Sequence, residues 1–351
     1  MASTLPTMTF PRPIFAALTP HPFLQAHLTA DKSPIRANGR LAPDFRAPGV
    51  NTGSLTHCNG SAVVRLGNTS VVCGVRAEIL KEGDISSTTD YLQQQQASQS
   101  PEEYDDRAEM EDLRLLVPNV ELSTGSTPQH IPGNAPSTYA QTLITRIRSL
   151  LLNTRLLCAE DLRVVYDAPA NPGAEDDDGE TEAQLKGYWV LYLDIFFISI
   201  DGNAFDAAWF SILAALRDTL IPRAFWDPEL EAVLCSDAPS EARRLQLRGL
   251  PVPSTFAVFE GRWDGEVEDE DDEEGRSWVL SDPDAFEESV CRETVCVVVD
   301  CSEGKKGTKD LIVRKIEKSG GGVVDRDMLK GLVKRAADRW GVVQKAVLEN
   351  A

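Results

Sequence analysis

Tyr188 to Ile200 is a nearly unbroken run of apolar and β-favouring residues that stops at Asp201-Gly202-Asn203 and passes straight into an apolar helix pattern. No other stretch restricts the fold as much. The run contains Asp194 and is too short to span a bilayer. It therefore predicts a central strand covered on both faces. After the Asp-Gly-Asn turn, Trp209, Ile212, Leu213, Leu216 and Leu220 recur at helical spacing until Pro222 ends the pattern. A strand, a tight turn and a core helix are thus the expected centre of the molecule.

Around that unit the chain is rich in strands. From Ser61 to Ile79 two alternating apolar runs flank Gly67-Asn68, a hairpin signal whose leading glycine suits a type II′ turn. On the second run Val71, Cys73, Val75, Ala77 and Ile79 share one face, and Arg76 and Glu78 lie on the other. Leu113 to Val120 reads as a strand, and Tyr139 to about Leu152 as a helix. Strands follow at Thr255 to Phe259, Ser277 to Leu280, Thr294 to Asp300 and Leu311 to Ile316. A terminal helix carries Leu329, Leu332, Val333, Ala336, Trp340, Val343 and Val347 on one stripe, which suits core or subunit contact. Ser319-Gly320-Gly321-Gly322 lacks the Gly-Lys-Ser/Thr of a phosphate loop and reads as a strand-to-helix turn. Strands then helix, twice over, make an α+β chain of two related lobes.

The 351 residues carry a net charge of −20, but the acids are clustered. Residues 82–112 hold ten acids and one Arg, 175–182 hold six acids and 264–274 hold nine. Without these segments' 25 acids and one base the chain keeps 30 acids against 34 bases, a net +4. The folded body is mildly basic and the acidity belongs to solvated insertions. Seven cysteines form no CxxC pair and read as reduced core thiols of a cytosolic or nuclear protein. His21, His27, His57 and His130 lack zinc spacing, so no metal and no cofactor is expected. The first twenty residues hold no charged region followed by an apolar block, so no secretory signal is expected.

Ile35 to Leu55 reads IRANGRLAPDFRAPGVNTGSL, with Arg36, Arg40 and Arg46 ahead of a Gly-Ser hairpin. This block resembles the opening of ribonuclease PH-like proteins. LVPNVEL (Leu116 to Leu122), LYLDIFFISIDGNAFDAAWFSILAAL (Leu191 to Leu216) and PSTFAVFEG (Pro253 to Gly261) continue the likeness in order. Over about residues 22 to 348 the chain is similar to ribonuclease PH-like subunits of the eukaryotic RNA exosome core ring. The resemblance implies an α+β ribonuclease PH-like fold, related to ribosomal protein S5 domain 2. It also implies a flexible N-terminus (1–21) and a first lobe (22–222) with acidic insertions at 81–112 and 168–184. A second lobe (223–351) carries the insertion 264–274 and the C-terminal helix.

Active members of that family degrade RNA from the 3′ end by phosphorolysis, in which inorganic phosphate attacks the terminal phosphodiester. The resemblance implies a Thr-Arg pair after an Asp-Gly-Gly turn, an Arg on an earlier helix, and two carboxylates six residues apart. Such groups bring two anions together and stabilise the leaving oxygen. Here the turn is Asp201-Gly202-Asn203, and Ala204 and Phe205 stand where the Thr-Arg pair would be. Between Arg114 and Arg146 the chain has no Lys or Arg, so the earlier helix offers no cation near the matching position around Pro136. In DPDAFEESVCRETVCVVV the two carboxylate positions fall on Glu288 and Thr294. The expectation is a chain with catalytic positions degenerate at Ala204, Phe205, Glu288 and Thr294.

Such a chain would serve a six-membered ring of ribonuclease PH-like subunits, capped by S1/KH proteins, that passes RNA through its channel to a separate catalytic nuclease. Ribosomal RNA maturation and mRNA turnover in nucleus, nucleolus and cytoplasm follow from the resemblance. Arg36, Arg46, Arg65 and Arg76 are candidates for RNA or interface contacts, and ordinary strand charges or ion pairs explain them equally well. The alternatives are an active phosphate-dependent 3′–5′ exoribonuclease, which would release nucleoside diphosphates, and an autonomous RNA-binding module, which would bind RNA tightly as a monomer.

Overall fold

The computed structural model describes residues 11–29, 35–85, 106–127, 130–131, 135–167, 183–261, 277–302 and 311–349. Most of the three acidic insertions, and residues 1–10, lie outside the described residues.

One sheet is built on the hairpin β2 (Gly60–Leu66) and β3 (Thr69–Lys81). The turn is as expected: Gly67 sits at φ +63°, and among the described non-glycine residues with positive φ Asn68 does not appear, which matches a type II′ turn. β1 (Pro48–Thr52) pairs with β2, and β6 (Ala183–Ser199) runs antiparallel to β3. β4 (Leu116–Leu122) is parallel to β6, and β5 (Arg163–Asp167) pairs with the start of β6. The strand order is β1-β2-β3-β6-β4. The parallel pairing of β4 and β6 requires a crossover, which the helix α4 (Thr138–Thr154) supplies.

β6 is central, as its apolar run predicts, and is buried on both faces from Tyr188 to Val190, but its latter half is covered on one face only. Leu191, Leu193, Ile195 and Phe197 are buried, whereas Phe196 and Ile198 on the other face are 38% and 46% exposed. Continuous hydrophobicity does not say how many layers cover a strand.

Behind the sheet lies α5 (Ala204–Asp218), of which every residue from Ala204 to Leu216 is buried. It packs on β2 and β3 and, from its other side, on β11 (Val252–Glu260) of the second sheet. A helix apolar all round is one buried all round. It ends earlier than expected: Thr219 is already extended, and Leu220 lies in the two-residue strand β7 (Leu220–Ile221), 44% exposed rather than on the helix stripe. Two short hairpin strands, β8 (Ala224–Asp227) and β9 (Ala232–Cys235), follow, and β10 (Arg243–Arg244) pairs with β7.

The second sheet is fully antiparallel, in the order β12-β11-β13-β14, with β12 (Ser277–Ser281), β13 (Glu293–Asp300) and β14 (Ile312–Ser319). The short helix α6 (Ala285–Val290) joins β12 to β13 and opens with a capping box on Asp284 and Glu287. The Ser319–Gly322 turn leads to α7 (Arg326–Glu349), whose Leu332, Ala336, Trp340, Val343 and Val347 are buried. Trp340 Nε1 donates to Leu250 O at 2.8 Å and Trp209 Nε1 to Pro251 O at 2.7 Å, so both indoles bury their rings without stranding a donor. One continuous apolar core joins the two sheets through α5.

Two segments expected to be loose are folded. α1 (Arg12–Leu18) and α2 (Pro20–Thr29) lie at the N-terminus, and α2 buries Phe23, Leu24 and Leu28. These last cover Ala257, Phe259 and Leu280. The end of the first acidic segment is α3 (Arg107–Asp112), in which Glu109 is fully buried. Its carboxylate accepts Arg163 Nε at 2.8 Å and the Tyr188 hydroxyl at 2.7 Å, so a residue that adds to an acidic cluster in sequence is a paired core acid in space. No helix among the described residues is long and apolar enough to cross a membrane.

Candidate functional site

The turn between β6 and α5 meets the loop between β12 and α6. Gly202 has φ +71°, and a Cβ there would lie 2.4 Å from the Asp284 carbonyl carbon, so this contact needs glycine. Asn203 follows in the left-handed region at φ +49°. Its amide does not cap α5. It donates instead to Asp282 Oδ1 at 2.6 Å and Asp206 Oδ2 at 2.9 Å. The Asn203 backbone N–H donates to Glu288 Oε1 at 2.7 Å. Glu288, reaching over from α6, thus caps α5 from outside its own chain segment.

Asp282 is the hub. It is buried, at φ +54°, and accepts Arg46 Nε at 2.8 Å, Arg46 Nη2 at 2.8 Å and the Arg46 backbone N–H at 2.9 Å. Burial alone would raise its pKa. Hydrogen bonding and charge from Arg46, with Arg339 and Asn203, outweigh that and hold the carboxyl down at about 2. Arg46 Nη1 also donates to Asp201 O at 2.8 Å, which ties the turn to the loop. A second buried carboxylate, Asp206, takes Thr255 Oγ1 at 2.7 Å, Thr255 N at 3.1 Å and Arg339 Nη1.

The four sequence-nominated arginines separate into two pairs. Arg36 is 1% exposed and donates to Ala42 O at 2.8 Å, Ser281 O and Asp282 O, while Arg46 is spent on Asp282. Both are internal clamps on the loop before α6, together with Arg40, whose Nη1 donates to Asp282 O at 3.1 Å. Arg65 and Arg76 are exposed on the uncovered face of the first sheet. Arg76 pairs with Asp194 at 3.3 Å and Glu78 at 3.7 Å and lies over the Tyr192 ring.

Ala204 and Phe205 open α5 and are 2% and 3% exposed, and neither brings a donor to the helix start. A cation does arrive, contrary to expectation. The Arg146 guanidinium, from α4, lies 3.9 Å over the Phe205 ring, and its Nε donates to Glu317 Oε2 of β14 at 3.1 Å. The search for a cation near Pro136 missed it because α4 delivers its side chain from a later turn. Tyr139 at the start of α4 lies within electrostatic reach of both Glu288 and Arg146. Glu288 is pushed up to about 7, chiefly by burial and further by Asp206 and Asp282, against the lowering effects of the Asn203 N–H and Arg46. Thr294 is the second residue of β13, opposite Ala257 and Ser319, and makes no hydrogen bond to Glu288 among the described residues.

Asp206, Asp282, Arg146 and Arg339 were not nominated from the sequence. Two of them had a signal. Asp206 interrupts the apolar AFDAAW segment, and Arg339 falls on the core stripe between Ala336 and Val343. A charge on a core face needs a buried partner. Chemically, Glu288 can hold or release a proton near neutrality, but the Arg146 guanidinium over the Phe205 ring is already paired with Glu317. Among the described residues no group of three or more His, Cys, Asp or Glu side chains is disposed to hold a metal ion.

Comparison with known proteins agrees with this architecture. Exosome complex component rrp43 of Schizosaccharomyces pombe is 27% identical over 95% of this chain and 97% of its own length. Putative exosome complex exonuclease RRP42 of Dictyostelium discoideum is 30% identical over 63% of this chain and 71% of its own. Among solved structures, a chain of the Archaeoglobus fulgidus exosome with RNA bound to the active site superposes with a TM-score of 0.60, covering 95% of this chain and 98% of that one at 20% identity. The model of the 3′ exoribonuclease family, domain 1, matches residues 44–222, more than half of the 351 residues, and the chain belongs to that ribonuclease PH family.

Proposed function

We propose that the chain is a non-catalytic subunit of an RNA exosome core ring, of the kind called ribosomal RNA-processing protein 43. The observation that carries this reading is the start of α5. Ala204 and Phe205 contribute no hydroxyl or guanidinium, and Arg146, the cation over the Phe205 ring, is paired with Glu317. Preorganised donors aimed at developing charge supply several kcal/mol in enzymes, on the order of 3 to 4 for a single donor. An alkyl group and a phenyl ring supply none of it. The near full-length similarity to an exosome complex component supports the assembly role.

On this reading the partners are other ribonuclease PH-like subunits in a six-membered ring, S1/KH cap proteins, an associated nuclease, and RNA in the channel. The compartments are nucleus, nucleolus and cytoplasm. Exposed Phe196 and Ile198 on the open face of the first sheet fit a subunit that buries more surface on assembly. The test has two arms. Purified chain is incubated with an oligoribonucleotide and inorganic phosphate, and no nucleoside diphosphate is expected. Gentle affinity purification followed by mass spectrometry is expected to recover ring partners. Phosphate-dependent shortening of the RNA, or recovery of the chain alone, would overturn the proposal. One observation favours the active-exonuclease reading, a Glu288 carboxyl poised near neutrality, and the first arm decides it.

A further inference from the structure

Two donors at the start of α5 meet carboxylates that come from the other side of the molecule. The donors belong to the first sheet's helices: the Asn203 N–H at the N-terminus of α5, and Arg146 on α4. The acceptors belong to the second sheet: Glu288 on α6 and Glu317 on β14. A helix N-terminus with a guanidinium nearby is where an oxyanion would be attracted. The Asn203 backbone N–H donates to Glu288, while its side-chain amide donates to Asp206 and Asp282. Arg146 lies 3.9 Å over the Phe205 ring and donates to Glu317, whose Oε2 is also 3.4 Å from Lys315 Nζ. Both donors are therefore satisfied, and both by acids of the same chain.

We infer that Glu288 and Glu317 are built-in counter-anions that close the start of α5 to external oxyanions. The inference rests on the non-catalytic reading and deepens it. The start of α5 takes no phosphate because two of the chain's own carboxylates occupy its donors as well as because Ala204 and Phe205 add none. An ordinary ion pair between Glu317 and its cations would free those cations when removed, but sulfate affinity would then not depend on Glu288.

The probe is inorganic sulfate, whose charge is constant between pH 6 and 8, titrated against chloride at equal ionic strength. Thermal unfolding of the full chain is followed at pH 8. Wild type is expected to show no sulfate-specific shift in Tm. Glu317→Ala, a change at a side chain one-third exposed, is expected to gain a saturable sulfate-specific rise. Glu288→Ala/Glu317→Ala is expected to reach its midpoint at a sulfate concentration at least tenfold lower than Glu317→Ala. Circular dichroism confirms folding, and should the double variant fail to fold, Glu317→Ala decides alone. A folded Glu317→Ala with no gain over wild type overturns the inference, as does wild type binding sulfate as tightly as the variants. Phosphorolysis by wild type would defeat the proposed function instead, so the two failures are distinct.

Discussion

Replacing Glu288 by Gln should stabilise the protein, by an amount that depends on pH. Gln is nearly isosteric and keeps a carbonyl for the Asn203 N–H, but cannot ionise. The wild-type carboxyl is raised from 4.5 to about 7 on folding, because burial beside Asp206 and Asp282 opposes its charge more than Asn203 and Arg46 favour it. A group whose folded value is the higher one favours the native state below its unfolded value, and that contribution disappears as pH rises through the folded value. Relative to a group that never ionises, wild type loses about 3 kcal/mol at pH 8 and under about 1 kcal/mol at pH 5. Glu288→Gln should therefore be more stable than wild type by roughly 2 to 3 kcal/mol at pH 8, with the advantage shrinking towards zero at pH 5. Comparing both proteins at each pH cancels every other titration. Urea unfolding from pH 5 to 8.5 measures the difference. A variant equal to or weaker than wild type at pH 8 would refute the assignment of Glu288 as a carboxyl strained by burial.

Asp282→Asn leaves Arg46 without its charge partner and should cost about 3 to 5 kcal/mol in urea unfolding; a loss under about 1 would contradict its place as the hub. Wild type should also lose about 2 kcal/mol of the Asp282 contribution as pH falls from 4 towards 2, since a depressed carboxyl stabilises above its unfolded value and loses that as it protonates. Gly202→Ala combines left-handed strain with a Cβ 2.4 Å from the Asp284 carbonyl carbon. It should lower stability by more than about 2 kcal/mol, and a neutral result would mean the turn is free to move. Arg163→Ala strands the buried Glu109 carboxylate and should cost about 3 to 5 kcal/mol, seen as a lower urea midpoint with circular dichroism confirming the fold. An unchanged midpoint would show that Glu109 is reached by water.

Local elements were legible because they follow from local physics. The Gly67-Asn68 hairpin needed only alternation and a positive-φ glycine, and the strand, turn and helix from Tyr188 to Leu216 needed only hydrophobic periodicity. Ala204 and Phe205 were nominated as degenerate positions because the Asp-Gly turn anchors them one and two residues on. The second side of β6 was misjudged, since Phe196 and Ile198 are as apolar as Leu193 and Ile195 and hydrophobicity carries no record of which neighbour covers them. Glu109 was counted with its acidic neighbours for the same reason: its partners Arg163 and Tyr188 lie 54 and 79 residues away.

Sequence alone therefore determined the α+β class, the strand-turn-helix centre and the absence of a hydroxyl-guanidinium pair at the start of α5, because each is written in residues adjacent along the chain. Tertiary structure decided the electrostatics. It turned Arg36 and Arg46 into internal clamps, brought Arg146 onto Phe205, and set Glu288 on the N-terminus of α5. Charge interactions depend on distance and burial across elements far apart in sequence, and neither quantity exists until the two sheets close on the shared helix.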